Sequence, residues 1–343
     1  MKWTLLMILG VFYFQLLRGQ ENRLEEILIE SPALEKNLLG DPGSRYVSVY
    51  LPPSYFKDAQ HRYPVVYFLH GNRVLSKERN ILKISNAPIQ NLLDSLIVGH
   101  KIEEMILVQP DARNFYGGCQ YANSPVSGYW ADFIVEELVS YVDHHYRTLA
   151  KPESRALVGA SMGGRGVLDI ALKNPGVYGV VYAMYPGQMG FQRLPRFGDI
   201  KHWRELLLAE DANPESGALR RLLGFSVAFS PNPQAGPYLA DLPVYWTGDS
   251  LSYDMKVLER WSRFDPVEIA AKDASPLLKL NALFVDCGYR DPGLNAVQLF
   301  SSILVSQDIP HLLELYEGGH GDPGARRIRT RVLPLISDNL VFH

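Results

Sequence analysis

A chain of 343 residues with 47% hydrophobic residues is long enough to bury a full core, as one large domain with an insertion or as two domains. Its formal net charge of −3 comes with no clustered Lys/Arg run, which argues against nucleic acid as a partner. No apolar stretch reaches the roughly 20 residues that span a bilayer, so no stable membrane span is expected.

Lys2, the apolar run from Trp3 to Leu17 and the small residue Gly19 read as an export signal over residues 1–19. That reading puts residues 20–343 in a secreted or periplasmic protein. Removing the signal takes away Lys2 and Arg18 and no acid, moving the charge from −3 to −5. Cys119 and Cys287 are the only cysteines, and an oxidising compartment would allow a bridge between them. Cys287 ends an apolar strand, however, which suits a free core thiol. No Asn-x-Ser/Thr acceptor occurs, because Asn123-Ser124 is followed by Pro125.

In chain order, Arg45 to Leu51 alternates in the manner of a strand in an early antiparallel hairpin, and stops at Pro52-Pro53. Tyr63 to Leu69 is a continuous apolar run, as a strand buried on both faces requires, and it ends at His70-Gly71-Asn72. A helix is expected over Ile89 to Val98, and a buried strand over Met105 to Val108. Asp132 to Tyr146 is amphipathic at helical spacing, with Ile134, Leu138, Tyr141 and Val142 on one face.

Arg155 to Ala160 then reads as a strand that turns into a helix through Gly159-Ala160-Ser161-Met162-Gly163-Gly164. A strand that turns straight into a helix around a serine needs small residues two before and two after it, because a Cβ there collides with the turn. The serine is held in a strained conformation, its hydroxyl raised above the sheet edge at a helix N-terminus. Gly-x-Ser-x-Gly in that context makes Ser161 a candidate nucleophile.

Further strands are expected over Tyr178 to Tyr185, Asn281 to Cys287 and His311 to Tyr316. Helices are expected over Ala296 to Val305 and over Ala325 to Val341, the latter kinked or restarted at Pro334. Strands alternating with helices indicate an α/β protein with a mostly parallel sheet. Residues 188–278 break the rhythm with helical pieces (Trp203 to Glu210, Ala218 to Leu223, Tyr253 to Trp261), Pro/Gly-rich turns and many aromatics. This insertion is either a cap over the carboxyl edge of the sheet, where ligands bind, or a structural side-pack.

A serine hydroxyl needs a base, and the base needs an orienting group. His320, in Glu317-Gly318-Gly319-His320-Gly321, directly follows a strand and is the candidate base. His311 precedes that strand, at the wrong end of the sheet. Two carboxylates compete as the acid: Asp286 within the strand, and Asp291 in the loop beyond Gly288. The loop position favours Asp291. Backbone donors for an oxyanion belong at Met162 and in the loop after His70-Gly71, at Asn72. His144 and His145 are adjacent on a helix and cannot share one face as a metal pair would. No His-Glu-x-x-His, Cys-x-x-Cys or Gly-x-x-x-x-Gly-Lys pattern occurs, so neither a metal nor a cofactor is expected.

With these motifs, Val49 to Tyr55 (Val-Tyr-Leu-Pro-Pro-x-Tyr), Tyr67 to Gly71, Gly159 to Gly164, Cys287 to Asp291 and Gly318 to His320, the chain resembles the esterase D-type putative esterases, a branch of the α/β-hydrolases. Bacterial feruloyl and acetyl xylan esterases, S-formylglutathione hydrolase, enterochelin esterase-like proteins and mycolyltransferases belong to that branch. The resemblance implies an α/β-hydrolase fold with helices on both faces of the sheet. It also implies nucleophile Ser161, acid Asp291, base His320, oxyanion donors Asn72 and Met162, and no cofactor. The expected activity is that of a serine carboxylesterase on a small-molecule or carbohydrate ester, such as an acyl or feruloyl ester of polysaccharide. An acyltransferase would share the same acyl-enzyme, and a non-catalytic scaffold would have no chemical reason to keep all three side chains. Neither the acyl group, nor the alcohol portion, nor the oligomeric state is readable from the sequence.

Overall fold

The computed structural model of the protein describes residues 23–72, 83–84, 87–191, 200–208, 216–248 and 250–343. The expected export signal lies outside the described residues. Among the described residues no helix is long and apolar enough to cross a membrane.

Eight strands form the central sheet: β1 (Leu24–Glu30), β2 (Ser44–Tyr50), β3 (Val65–Leu69), β4 (Ile106–Pro110), β5 (Arg155–Ala160), β6 (Val180–Met184), β7 (Ala282–Gly288) and β8 (Leu312–Tyr316). Their spatial order is β1-β2-β4-β3-β5-β6-β7-β8. From β4 across to β8 every neighbouring pair is parallel, while β2 runs antiparallel to both β1 and β4. The partner in the expected early hairpin is β1. β3 starts at Val65 rather than Tyr63, because Pro64 has no N–H to give the ladder; Tyr63 instead bridges Thr148.

Helices cover both faces. α1 (Ile89–Val98) spans the expected residues. α2 runs through Trp130–Asp132, a π-helical turn at Phe133–Glu137 and Leu138–His145. α3 (Met162–Lys173) follows the serine. The insertion carries α4 (Ile200–Leu208), α5 (Gly217–Phe229) and α6 (Met255–Ser262). α7 (Pro266–Lys272), α8 (Leu294–Ser306) and α9 follow, α9 being Gly324–Arg327, a π-helical turn at Ile328–Val332 and Leu333–Asn339. The π turn ends at Val332, two residues before Pro334, where the helix was expected to kink or restart.

Strand alternation sorts the core into two layers. Val66, Leu107, Ala156, Val158, Tyr182 and Phe284 pack against Leu93 and Leu96 of α1 and Val332 and Ile336 of α9. Tyr67, Val108, Leu157, Val181 and Val285 face the other way, onto Phe133 and Leu138 of α2, Val167 and Leu168 of α3, and Val297 and Phe300 of α8. Each such aliphatic or aromatic side chain contributes about 1.5–3 kcal/mol by leaving water.

The insertion builds a separate aromatic cluster on Trp203, Phe225, Phe229, Trp261 and Phe191, which also takes in Tyr116, Ala122 and Val126 from the segment after β4. α5 is longer than expected and passes through Gly224, where a Cβ would come within 3.3 Å of the Tyr116 Cβ. A hairpin of Val244–Thr247 with Ser250–Tyr253 was not legible as strands, because its turn and polar face read as loop. The return to the main core comes at Pro266, before the expected end of the insertion at 278. Val267, Ala270, Ala274 and Leu277 all join the layer beneath α3 and α8. The start signal is local: Asp265 caps α7, accepting from the Val267 N–H, with Pro266 in the first turn.

Asp265 is buried and also accepts the Phe191 N–H at 2.7 Å, tying the two ends of the insertion together. Burial pushes its carboxyl up to about 6. Between the unfolded value near 4 and that figure, the folded state holds the extra proton. The unfolding free energy therefore falls as pH rises across that window, by up to about 3 kcal/mol from this group, and is flat above it. We expect the difference in unfolding free energy between wild type and Asp265→Asn to decline over that range. Urea titrations at pH 4 to 7 measure it; a pH-independent difference would contradict the assignment.

Candidate active site

The turn between β5 and α3 puts Ser161 at φ 56°, ψ −113°, in the left-handed half of the map that non-glycine residues avoid. Its neighbours explain why the turn closes. A Cβ at Gly159 would lie 2.2 Å from the Gly163 carbonyl oxygen, and one at Gly163 would lie 2.0 Å from that of Leu69. Both contacts are with backbone, so no side chain could move aside. The Ser161 N–H donates to the Met184 carbonyl at 3.0 Å, and the Ser161 carbonyl accepts from the Gly187 N–H at 2.9 Å.

Three loops at the carboxyl edge of the sheet converge there. The Ser161 Oγ lies 2.8 Å from Nε2 of His320. The His320 Nδ1 lies 2.8 Å from Oδ2 of Asp291, and Oδ1 of the same carboxylate accepts the Gly293 N–H at 2.7 Å. The Asp291 side chain is almost wholly buried, whereas 41% of the His320 side chain stays accessible. The loops after β7 and β8 are laced together: Tyr289 N–H to the Tyr316 carbonyl, and Arg290 N–H to the Gly318 carbonyl. Gly288 permits this, since a Cβ there would sit 2.4 Å from the Gly318 carbonyl oxygen.

Asp286, the competing carboxylate, goes elsewhere. It is fully buried and accepts from Nε of Arg327 at 2.8 Å, the Tyr182 hydroxyl at 3.0 Å and the Tyr185 N–H at 2.9 Å. Burial outweighs these donors and holds its carboxyl above the usual range. His311 is likewise remote, between the Ser301 hydroxyl and the Ile309 carbonyl.

The two expected backbone donors flank the serine. Met162 is the first residue of α3, where an N–H has no carbonyl one turn back to accept it. The Gly71-Asn72 loop leaves β3 alongside, close enough that a Cβ on Gly71 would lie 3.2 Å from the Ser161 Cβ. His70 anchors that loop, its Nε2 accepting the Ala112 N–H at 2.9 Å and its Nδ1–H directed at the Gly71 carbonyl. A Cβ on Gly118 would meet Sδ of Met162 and Nδ2 of Asn72. One on Gly187 would come within 3.3 Å of the Ser161 Oγ. His70, Gly118 and Gly187 were not among the expected site residues; only the His-Gly dipeptide at the end of a strand carried a signal.

Cys119 and Cys287 are both free and buried, and burial pushes each thiol up to about 12, far from a reactive thiolate. Among the described residues no group of three or more His, Cys, Asp or Glu could hold a metal ion. A recess of about 710 Å³ lies within the insertion, lined by Leu207, Tyr238, Tyr245, Lys256 and Arg260 among others, and none of the site residues borders it.

Residues 42–292 match the family model described as putative esterase. The chain belongs to the putative esterase family. The matched span contains Ser161 and Asp291 but stops before His320, which the contacts to both of them join to the site. An esterase of Mycobacterium tuberculosis is 28% identical over 165 residues, 47% of this chain and 32% of that protein. An endo-1,4-beta-xylanase/feruloyl esterase of Xylanibacter ruminicola is 30% identical over 143 residues, 38% of this chain and 18% of that protein. The chain thus spans about a third or less of these two curated relatives. Among solved structures, a ferulic acid esterase superposes with a TM-score of 0.60 at 21% identity, covering 92% of this chain and 98% of the other. An S-formylglutathione hydrolase from Agrobacterium tumefaciens gives 0.57 at 16% identity, covering 93% and 95%. At such identities these two likenesses establish the α/β-hydrolase fold of this putative esterase and nothing finer.

The two aspartates separate in a direct comparison. Asp291→Asn is expected to lower kcat on a simple ester by about 10³–10⁴-fold, because an amide cannot hold the His320 Nδ1–H as a carboxylate does. Asp286→Asn should cost less than about tenfold in kcat, and its effect should appear mainly in stability, since Arg327 loses its buried partner. Steady-state kinetics and thermal unfolding of both variants check this.

Proposed function

We propose that this protein is a serine carboxylesterase that works through an acyl-enzyme on Ser161. The observation that carries the reading is the unbroken chain of 2.8 Å contacts from the Ser161 hydroxyl through His320 to Asp291. Membership of the putative esterase family supports ester hydrolysis as the reaction class.

In the proposed mechanism His320 Nε2 takes the Ser161 proton as Oγ attacks the ester carbonyl. Asp291 accepts the Nδ1–H, which fixes the tautomer and offsets the charge of the imidazolium formed. The N–H groups of Met162 and Asn72 receive the oxyanion, each contributing about 10²–10³-fold in rate. His320 then protonates the leaving alcohol, and a water activated by the same imidazole releases the acid. The accessible edge of His320 suits that last step, because the water must reach it. No metal is invoked at any stage.

The proposed substrates are esters of aromatic or short acyl groups with a carbohydrate alcohol. A relative named endo-1,4-beta-xylanase/feruloyl esterase and a fold shared with a ferulic acid esterase support that choice. Export, on the apolar run from Trp3 to Leu17, would bring the enzyme to such material.

A fluorophosphonate probe should label the wild type on Ser161 alone, and peptide mass spectrometry locates the adduct. Ser161→Ala and His320→Ala should each lower kcat on p-nitrophenyl acetate by at least about 10³-fold while remaining folded. Full turnover by a folded Ser161→Ala variant would sink the reading. Methyl ferulate and acetylated xylan, assayed beside p-nitrophenyl esters of rising chain length, decide the acyl and alcohol portions.

A further inference from the structure

The turn Tyr185-Pro186-Gly187, which follows β6, touches all three loops that carry the candidate triad. Gly187 donates its N–H to the Ser161 carbonyl at 2.9 Å. The Pro186 carbonyl lies where a Cβ on Gly293 would approach within 3.4 Å, and Gly293 is the residue whose N–H holds Asp291. The Tyr185 ring packs edge-to-face with the His320 imidazole, centroids 5.2 Å apart at an interplanar angle of 77°.

Tyr185 reaches that position in an unfavourable conformation. Its φ is 33°, a left-handed value that a bulky side chain seldom adopts. What holds it there is Asp286: the Tyr185 N–H points between the main-chain oxygen and Oδ1 of that residue, 2.9 Å from each. Asp286 is fixed in turn by Arg327 and the Tyr182 hydroxyl through Oδ2. The fully buried carboxylate in β7 therefore has a job distinct from that of Asp291. It pins a strained aromatic residue against the imidazole.

We propose that Tyr185 is a positioning residue whose ring holds the His320 imidazole in line between Ser161 and Asp291, and that the Asp286–Arg327 pair keeps Tyr185 in place. The inference rests on the esterase reading above. His320 needs such a support because 41% of its side chain is accessible and it sits on a glycine-flanked loop. Without the ring, only two hydrogen bonds restrain it, and a small rotation breaks the one to Ser161. The phenol is not itself a base: burial pushes it up to about 12, and its oxygen lies toward Gly324 rather than toward the serine.

The test compares Tyr185→Phe with Tyr185→Leu, using p-nitrophenyl acetate and thermal unfolding, with wild type and Ser161→Ala as controls. Tyr185→Leu should lower kcat about tenfold with KM little changed, because the small substrate does not depend on the ring for binding. Tyr185→Phe, which keeps the ring and loses only the hydroxyl, should retain at least half of wild-type kcat. In parallel, the proton NMR resonance of the His320 Nδ1–H should stay sharp in Tyr185→Phe and broaden in Tyr185→Leu. Should the leucine variant fail to fold, Tyr185→Met is read in the same way. Wild-type kcat and an unaltered Nδ1–H signal in a folded Tyr185→Leu or Tyr185→Met variant would overturn the inference. An equal loss in Tyr185→Phe would overturn it too, by moving the role to the hydroxyl. Persistent activity in Ser161→Ala is a different result, since it removes the esterase reading itself.

Discussion

A serine forced to φ 56° between a strand and a helix is the constraint on which the rest of the site depends. Such a conformation costs of order 1–3 kcal/mol and persists only where its surroundings over-determine it. Here the determination comes from both sides. Gly159 and Gly163 bring the backbone of β5, α3 and β3 to distances that no Cβ would permit. Hydrogen bonds to Met184 and from Gly187 then hold the Ser161 peptide groups on the β6 side. The result is a hydroxyl fixed at the edge of a sheet, beside the first N–H groups of a helix.

The parallel sheet decides what else can reach that hydroxyl. In the order β3-β5-β6-β7-β8, the loops that follow successive strands open at the same edge. β3 contributes Gly71 and Asn72, β5 the serine, β6 the turn at Tyr185, β7 Asp291 and β8 His320. Residues more than a hundred positions apart meet because strand direction and order bring their loops together. The short backbone lacing between the Tyr289–Asp291 and Tyr316–Gly318 segments turns two of these loops into one unit, with Gly288 as the point of close approach.

The insertion is tied to the same edge by a buried arginine. Arg165, one turn after Ser161, is fully buried; it donates to the carbonyls of Phe264 and Gln120 and lies 4.8 Å from the Phe229 ring centroid. No carboxylate pairs with this guanidinium at ion-pair distance among the described residues; carbonyl dipoles, the Phe229 face and the charges of nearby Asp169 and Asp265 together offset its burial. α5 meanwhile packs on the loop after β4 at Tyr116, and the Ser124 hydroxyl donates to the Val227 carbonyl. The aromatic core of the insertion is thus continuous with the loops around the serine, while its recess at Tyr238 and Tyr245 lies apart from them.

Local chemistry was enough to read much of this from the chain. Apolar runs bounded by Pro and Gly marked β3, β5, β6 and β7, and helical spacing marked α1 and α2, because buried strands and amphipathic helices impose periods that neighbours in sequence must obey. Gly-x-Ser-x-Gly declared the turn at Ser161 because its steric demands are met within five residues. The same holds for the glycines around His320. Other features depend on partners that sequence distance conceals. Asp286 and Asp291 are five positions apart and chemically identical; the direction of the strand, and an arginine 41 positions after Asp286, assign one to the interior and the other to the imidazole. The strain at Tyr185 has no local signature, because it is stabilised from a neighbouring strand. α7 looked like part of the insertion until its apolar face had α3 and α8 to bury against. Backbone preference and hydrophobic period act between near neighbours and are written in the chain. Burial, charge compensation and the meeting of loops are properties of the assembled sheet, and only the tertiary structure decides them.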